Sequence, residues 1–400
     1  MDIRDQLRML EKGRKKAAGA GKDRTSPGSR GTYTVMEDRC PVDSYHGVIL
    51  LENLLRLDAG HLALAGKDES LAAFRPEKTV FLDLETTGLS GGAGTYAFLI
   101  GSVHLDGDSL SLRQYFLNDL EAEAEMLLEV HSFLSGFDGL VTYNGKTFDL
   151  PLLNTRFILQ GISEGHRAAY HLDLLHTARR LWSMDLASCQ LREVEKSLLG
   201  LERTGDVGGW EIPSIYFDYL KSGRKELLRP ILTHNALDVK SLVALTIKAG
   251  HLVGEGLKGE IDKPGEKYAL GRLMDDMNRP EQAARHLEGA ADSLRGSHRH
   301  LALKRLSLIQ KRKGMWPEAE TIWQKMSREF PMDPFAYIEL AKLYEHRFRD
   351  LEKALDLVTA ALERLSSMDG RRTGSPGITA GLRDLERRLC RLTIKGKRLG

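Results

Sequence analysis

A chain of 400 residues exceeds one small domain, and its 42% hydrophobic content suffices for two or three ordinary cores. Lys and Arg (58) nearly balance Asp and Glu (56), which excludes a polycation; Cys40, Cys189 and Cys390 stand too far apart for a disulfide framework or a zinc knuckle. No apolar run approaches the ~20 residues of a membrane span, and the opening MDIRDQLRML lacks a signal peptide's apolar centre, so a cytoplasmic protein without a membrane partner is expected.

Residues 1–31 carry nine Lys/Arg against four Asp/Glu, and residues 12–31 offer nothing apolar to bury. They read as a disordered basic N-terminus. Residues 32–78 read as an extension packing on the next domain, with 48–57 (VILLENLLRL) as a short buried helix. Residues 79–82 form a short apolar strand ending on Asp83. Two β-rich runs, 96–105 and 110–117, flank the hairpin turn Asp106-Gly107-Asp108-Ser109. Residues 121–134 space Met126, Leu127, Val130 and Leu134 as a helix does. A strand at 140–143, a helix over 150–160, a strand at 171–175 and helices through Ala249 complete the series. The order β-β-β-α-β-α-β-α predicts a mixed sheet with helices on its faces, an α/β domain over 79–252.

After Pro264 the pattern turns all-helical, over 264–366. Ala283, Ala319 and Ala354 recur 36 and 35 residues apart, close to the tetratricopeptide period of about 34. The region resembles a short tetratricopeptide array, with a generic helical bundle as the alternative, and such an array implies a protein partner. Residues 371–400 carry nine Lys/Arg against two Asp/Glu, and 367–400 read as a basic helical cap or tail. Both basic ends could attract phosphate or simply be solvated.

Three segments carry chemistry. In Asp83-Leu84-Glu85-Thr86-Thr87-Gly88, strand alternation puts Asp83 and Glu85 on one face. Paired carboxylates at the end of a buried strand are costly unless a cation lies between them, and Mg²⁺ takes such oxygen ligands. In Asn144-Gly145-Lys146-Thr147-Phe148-Asp149, Asp149 opens a helix, where an N-cap is the ordinary alternative. In His234-Asn235-Ala236-Leu237-Asp238, His234 and Asp238 share a helix face, as a surface pair or as a general base beside a metal ligand.

Together these segments resemble the DEDD family of 3′–5′ exonucleases, whose fold is ribonuclease H-like and whose first motif is DxExTG. Asn144 with Phe148-Asp149 matches the second motif, and Asp238 matches the last aspartate. The likeness is greatest to the YprB-like branch, through Gly91-Gly92-Ala93-Gly94-Thr95, Phe98-Leu99-Ile100-Gly101, the run His171 to His176, and Arg203, Asp206, Pro213 and Tyr216. The resemblance implies two divalent cations, Mg²⁺ or Mn²⁺, on Asp83, Glu85, Asp149 and Asp238. It also implies His234 as base, and Thr86, Thr87, Gly88 and Asn144 around a single-stranded 3′ end. One departure stands out: His-type members place His five residues before the last Asp, and Tyr-type members place Tyr four before it. His234 precedes Asp238 by four, and each helical residue turns about 100°, so its imidazole is expected to point differently. A non-catalytic scaffold and an endonuclease on the same fold are the rival readings.

Overall fold

The β-branched and aromatic runs of the first half assemble into one seven-stranded sheet. The computed structural model describes residues 23–24, 31–88, 94–162, 167–366 and 376–399, so most of the basic N-terminus and the Gly91-Gly92-Ala93 stretch lie outside the described residues. The chain divides into two compact units, Met1–Lys258 and Gly259–Gly400.

In the first unit, β1 (Asp23–Arg24) and β2 (Tyr33–Pro41) precede a small hairpin of β3 (Tyr45–His46) and β4 (Ile49–Leu50). Then come β5 (Thr79–Thr86), β6 (Ala97–Asp106), β7 (Ser109–Leu117), β8 (Gly139–Thr142) and β9 (Tyr170–Asp173). The sheet order is β1-β2-β7-β6-β5-β8-β9. β8 and β9 run parallel to β5, while β2, β7, β6 and β5 pair antiparallel. Gly107 takes a left-handed φ of 60° in the two-residue turn that pairs Asp106 with Ser109.

The helices are α1 (Ala59–Gly66), α2 (Glu123–Leu134), α3 (Asp149–Leu159), α4 (Leu174–Leu181), the short α5 (Leu191–Val194) with a π turn over Glu195–Leu199, α6 (Ile212–Ser222) and α7 (Leu228–Lys258). β8, α3 and β9 form a βαβ unit, the connection that parallel neighbours require. Met126, Leu127, Val130 and Leu134 of α2 are fully buried against the sheet, as their spacing predicts. Tyr216 of α6 stacks on Phe98 with ring centroids 3.8 Å apart and donates its hydroxyl to the Leu117 carbonyl at 2.8 Å.

Two expectations change. Residues 33–41 are not packing on the sheet but belong to it, since β2 pairs with β7 along its whole length. Its middle, Glu37-Asp38-Arg39, is solvent-exposed and charged, which hides the strand in the sequence. Residues 48–57 are not an α-helix: β4 leads into a 3₁₀ helix over Leu51–Arg56. Three residues per turn put Leu51 and Leu54 inward together, leaving Val48 and Leu55 in solvent. Asp149 is the first residue of α3, as the sequence predicts, and the N-cap is Phe148.

The second unit is all-helical. It contains α8 (Pro264–Asp276), α9 (Pro280–Ser293), α10 (Gly296–Arg312), α11 (Trp316–Glu329), α12 (Pro334–Lys342) extended by a π turn over Leu343–Phe348, α13 (Leu351–Ser366) and α14 (Pro376–Leu399). Successive helices pack on one another through short connections. Ala283, Ala319 and Ala354 are each the fourth residue of α9, α11 and α13, and each is fully buried.

Candidate active site

Asp83 and Glu85 leave the same face of β5, where the register shifts between Glu85 and Thr86. Such a bulge bends a strand and re-aims the side chains beyond it. Opposite Asp83 on β6 is Gly101, whose missing side chain is essential. A Cβ there would stand 1.9 Å from Asn235 Oδ1. Through that opening, the Asn235 amide of α7 donates to Asp83 Oδ2 at 2.9 Å. Gln114 of β7 completes the chain by donating to Asn235 Oδ1 at 2.9 Å and to the Leu232 carbonyl at 2.9 Å. The amide is therefore fixed before any ligand arrives.

Asp149 enters from the start of α3, and the loop before it is held by Asp173. That buried carboxylate caps α4 by accepting from Leu175 N at 3.0 Å, and it accepts from Asn144 N at 2.8 Å and Lys146 N at 3.1 Å. Asn144 has a left-handed φ of 67°, which Asn tolerates better than most residues. Asp173 is thus the peg of the Asn144 loop. Its neighbour His171 faces Thr142 Oγ1 through Nε2 at 2.8 Å.

His234 and Asp238 lie one turn apart on α7. Nδ1 of His234 meets Asp206 Oδ1 at 2.8 Å, and its Nε2 lies 3.6 Å from Asp238 Oδ2 and 4.0 Å from Glu85 Oε1. The four-residue spacing thus brings the imidazole to the carboxylates. Arg203 binds Asp238 through Nη2, Asp206 through Nη1 at 3.2 Å and Glu195 through Nε at 2.8 Å. One buried guanidinium ties three acids together.

The electrostatics reflect this crowding. Burial first, then the charges of Asp238, Glu85 and Asp149, push the Asp83 carboxyl well above the ordinary range, against the Asn235 hydrogen bond. Burial, then Asp238, Asp149 and Asp206, do the same to Glu85. Burial and then Asp173 push Asp149 up to about 7. Asp238 is raised by burial although Arg203 and His234 pull it down. Asp206 ends below the usual range because its bonds from His234 and Arg203 outweigh burial.

Among the described residues, no three His, Cys, Asp or Glu side chains stand arranged to hold a metal ion. Arg203 takes an oxygen of Asp238 and Asn235 an oxygen of Asp83. The donor set still fits hard divalent cations: Asp238 and Asp149 raise the proton affinity of both Asp83 and Glu85, and cations relieve such repulsion.

Of the remaining sequence candidates, Thr86 donates its hydroxyl to the Gly88 carbonyl at 2.9 Å. Thr87 is buried, and its Oγ1 accepts from Tyr96 N at 3.0 Å. Asp206, Arg203, Glu195, Asn235 and Gln114 received no role from the sequence. The run of Arg203 and Asp206 is visible there as a pattern, but only the fold aims that loop at α7.

An α/β sheet carrying these carboxylates on β5, α3 and α7 defines a ribonuclease H-like protein, and residues 80–249 match the RNase_H_2 family of the RNase H superfamily. The chain is 33% identical over 319 residues to "Uncharacterized protein YprB" of Bacillus subtilis (strain 168), covering 77% of this chain and 75% of that protein. It belongs to that family.

Proposed function

We propose that the first unit is a metal-dependent 3′–5′ exonuclease acting on single-stranded nucleic acid. The observation that carries this reading is the meeting of Asp83, Glu85, Asp149 and Asp238 beside an imidazole oriented by Asp206. Membership of a superfamily of phosphodiester hydrolases supports it. Asp83, Glu85 and Asp238 would hold one Mg²⁺ or Mn²⁺, and Asp83 with Asp149 the second. Bound there, such ions polarise phosphoryl oxygens and acidify water.

The protein's own residues supply the rest. Asp206 holds the Nδ1 proton of His234, which leaves Nε2 as the free base for the attacking water. Arg203 holds Asp206 and Asp238 in register. Thr86, Gly88 and Asn144 would line the 3′ end, with Thr87 bracing them from behind. In the second unit, Ala283, Ala319 and Ala354 at equivalent buried places support a tetratricopeptide-like reading of its helix pairs.

The test is a Mn²⁺- and Mg²⁺-dependent assay on 5′-labelled single strands, with matched DNA and RNA. A ladder shortening from the 3′ end, absent in Asp83→Asn, is expected. Cleavage of circular single strands would move the activity to an endonuclease. Wild type no more active than Asp83→Asn would leave a scaffold.

A further inference from the structure

The second unit contains a cavity of about 310 Å³ that the nuclease reading does not use. Lys311 of α10, Lys342 of α12, Arg347 of the π turn, and Arg388 and Arg391 of α14 line it. Glu339 is the one acid among the lining residues, and Lys342 meets it at 2.7 Å. Behind them the buried Glu345 accepts from Arg388 at 2.9 Å, Arg391 at 2.7 Å and Lys395 at 2.8 Å. Asp384 stands 3.8 Å from Arg388. These carboxylates are outnumbered by the cations, so the cavity keeps a positive surplus.

The second observation is independent of charge. Trp316 and Trp323 also line the cavity, and the buried indole N–H of each lacks a hydrogen-bond partner. Arg388, only 5% exposed, has a buried Nε–H in the same condition. These groups are donors only, and leaving a buried donor unpaired costs roughly 1–3 kcal/mol. Arg347 has no carboxylate partner among the described residues and stands 5.0 Å over the Trp316 ring. The exposed Arg347 sets the sign of a ligand, which must bring negative charge and acceptor oxygens, as a phosphate group does. The volume exceeds a bare phosphate and falls at the lower end of small-molecule sites, roughly 300–1,000 Å³. The partly exposed Trp316 ring offers a face on which a flat base can stack.

We propose that this cavity binds a phosphate monoester bearing a planar heteroaromatic ring, of the size of a nucleoside monophosphate. The phosphate would meet Arg347, Arg388 and Arg391, and the ring would lie against Trp316.

Calorimetric titration of the full chain with AMP and, separately, with inorganic phosphate tests this at physiological ionic strength. AMP is expected to bind at least about tenfold more tightly than phosphate, a difference of ~1.4 kcal/mol. Arg347→Gln, at an exposed position, should weaken AMP binding by about tenfold with an unchanged melting temperature. Arg391→Gln should weaken binding similarly and also lower the melting temperature, because it removes a partner of the buried Glu345. Asp83→Asn should bind AMP as the wild type does, which separates this cavity from the nuclease site. Three results would overturn the proposal: AMP binding lost in Asp83→Asn, AMP binding indifferent to both arginine substitutions, or phosphate binding as tightly as AMP.

Discussion

The bond between His234 Nδ1 and Asp206 sets the tautomer that makes Nε2 a base, so its loss should act on turnover rather than on substrate affinity. Asp206→Asn is expected to lower kcat by about 10²-fold or more with little change in KM, the usual weight of a general base. An unchanged kcat would remove His234 from that role. The raised carboxyls make a second prediction, about stability. Asp149 is pushed up to about 7, so the folded metal-free state holds this proton more tightly than the unfolded chain. The penalty for ionising it is absent below the unfolded carboxylate range and complete above about pH 7. Stability of the metal-free protein should therefore fall as pH rises through that window. In EDTA the melting temperature is expected to drop between about pH 4 and 7, with a shallower slope in Asp149→Asn. Mg²⁺ should restore the loss at the alkaline end, and parallel slopes for the two proteins would refute the assignment. The carboxylates are legible in the sequence because each sits in a short pattern tied to one element. Asp206, Arg203 and Asn235 are not, because their meaning depends on which loop the fold swings over α7.

At the level of elements, Gly101 decides how closely β6 and α7 approach. Its register opposite Asp83 and the 1.9 Å clearance to Asn235 Oδ1 leave no room for a methyl group. Overpacking of this kind costs about 1–3 kcal/mol, or roughly 2–4 °C per kcal/mol in a unit of this size. Gly101→Ala should therefore melt lower and lose activity, because the displaced amide no longer holds Asp83. Adding Asn235→Ala should recover part of the melting temperature and none of the activity. A Gly101→Ala protein with wild-type melting and turnover would show that the amide is dispensable. The same scale explains what the sequence conceals. β6, β7 and α2 carry strong periodicity, so their bounds can be read within a residue or two, and the Gly107 turn fixes the register of β6 and β7. β5, by contrast, runs on to Thr86, three residues past the Asp83 where its apolar run ends. β2 escapes because Glu37, Asp38 and Arg39 interrupt its apolar character. The 3₁₀ helix over Leu51–Arg56 escapes because its period of three imitates an α-helix over so short a run.

For the molecule as a whole, the open quantity is the number of cooperative units in the chain. The large apolar cluster of the sheet, from Tyr33 to Ile231, draws only on residues before Lys258. The second unit buries Trp323, Met326, Leu340, Val358 and Leu392 among its own helices. Units with separate cores unfold separately unless their coupling exceeds the stability of one of them. A ligand that binds one folded unit raises the transition of that unit alone, by RT ln(1 + [L]/Kd), about 2.7 kcal/mol at a hundredfold excess over Kd. Scanning calorimetry of the full chain should therefore resolve two transitions. Mn²⁺ is expected to raise the one that Asp83→Asn alters, and AMP the one that Arg347→Gln alters. A single transition that moves with either ligand would mean that the carboxylate cluster and the helical cavity share one cooperative unit. Separate shifts would establish that metal binding and anion binding report on different parts of the chain, and each could then be titrated in the presence of the other.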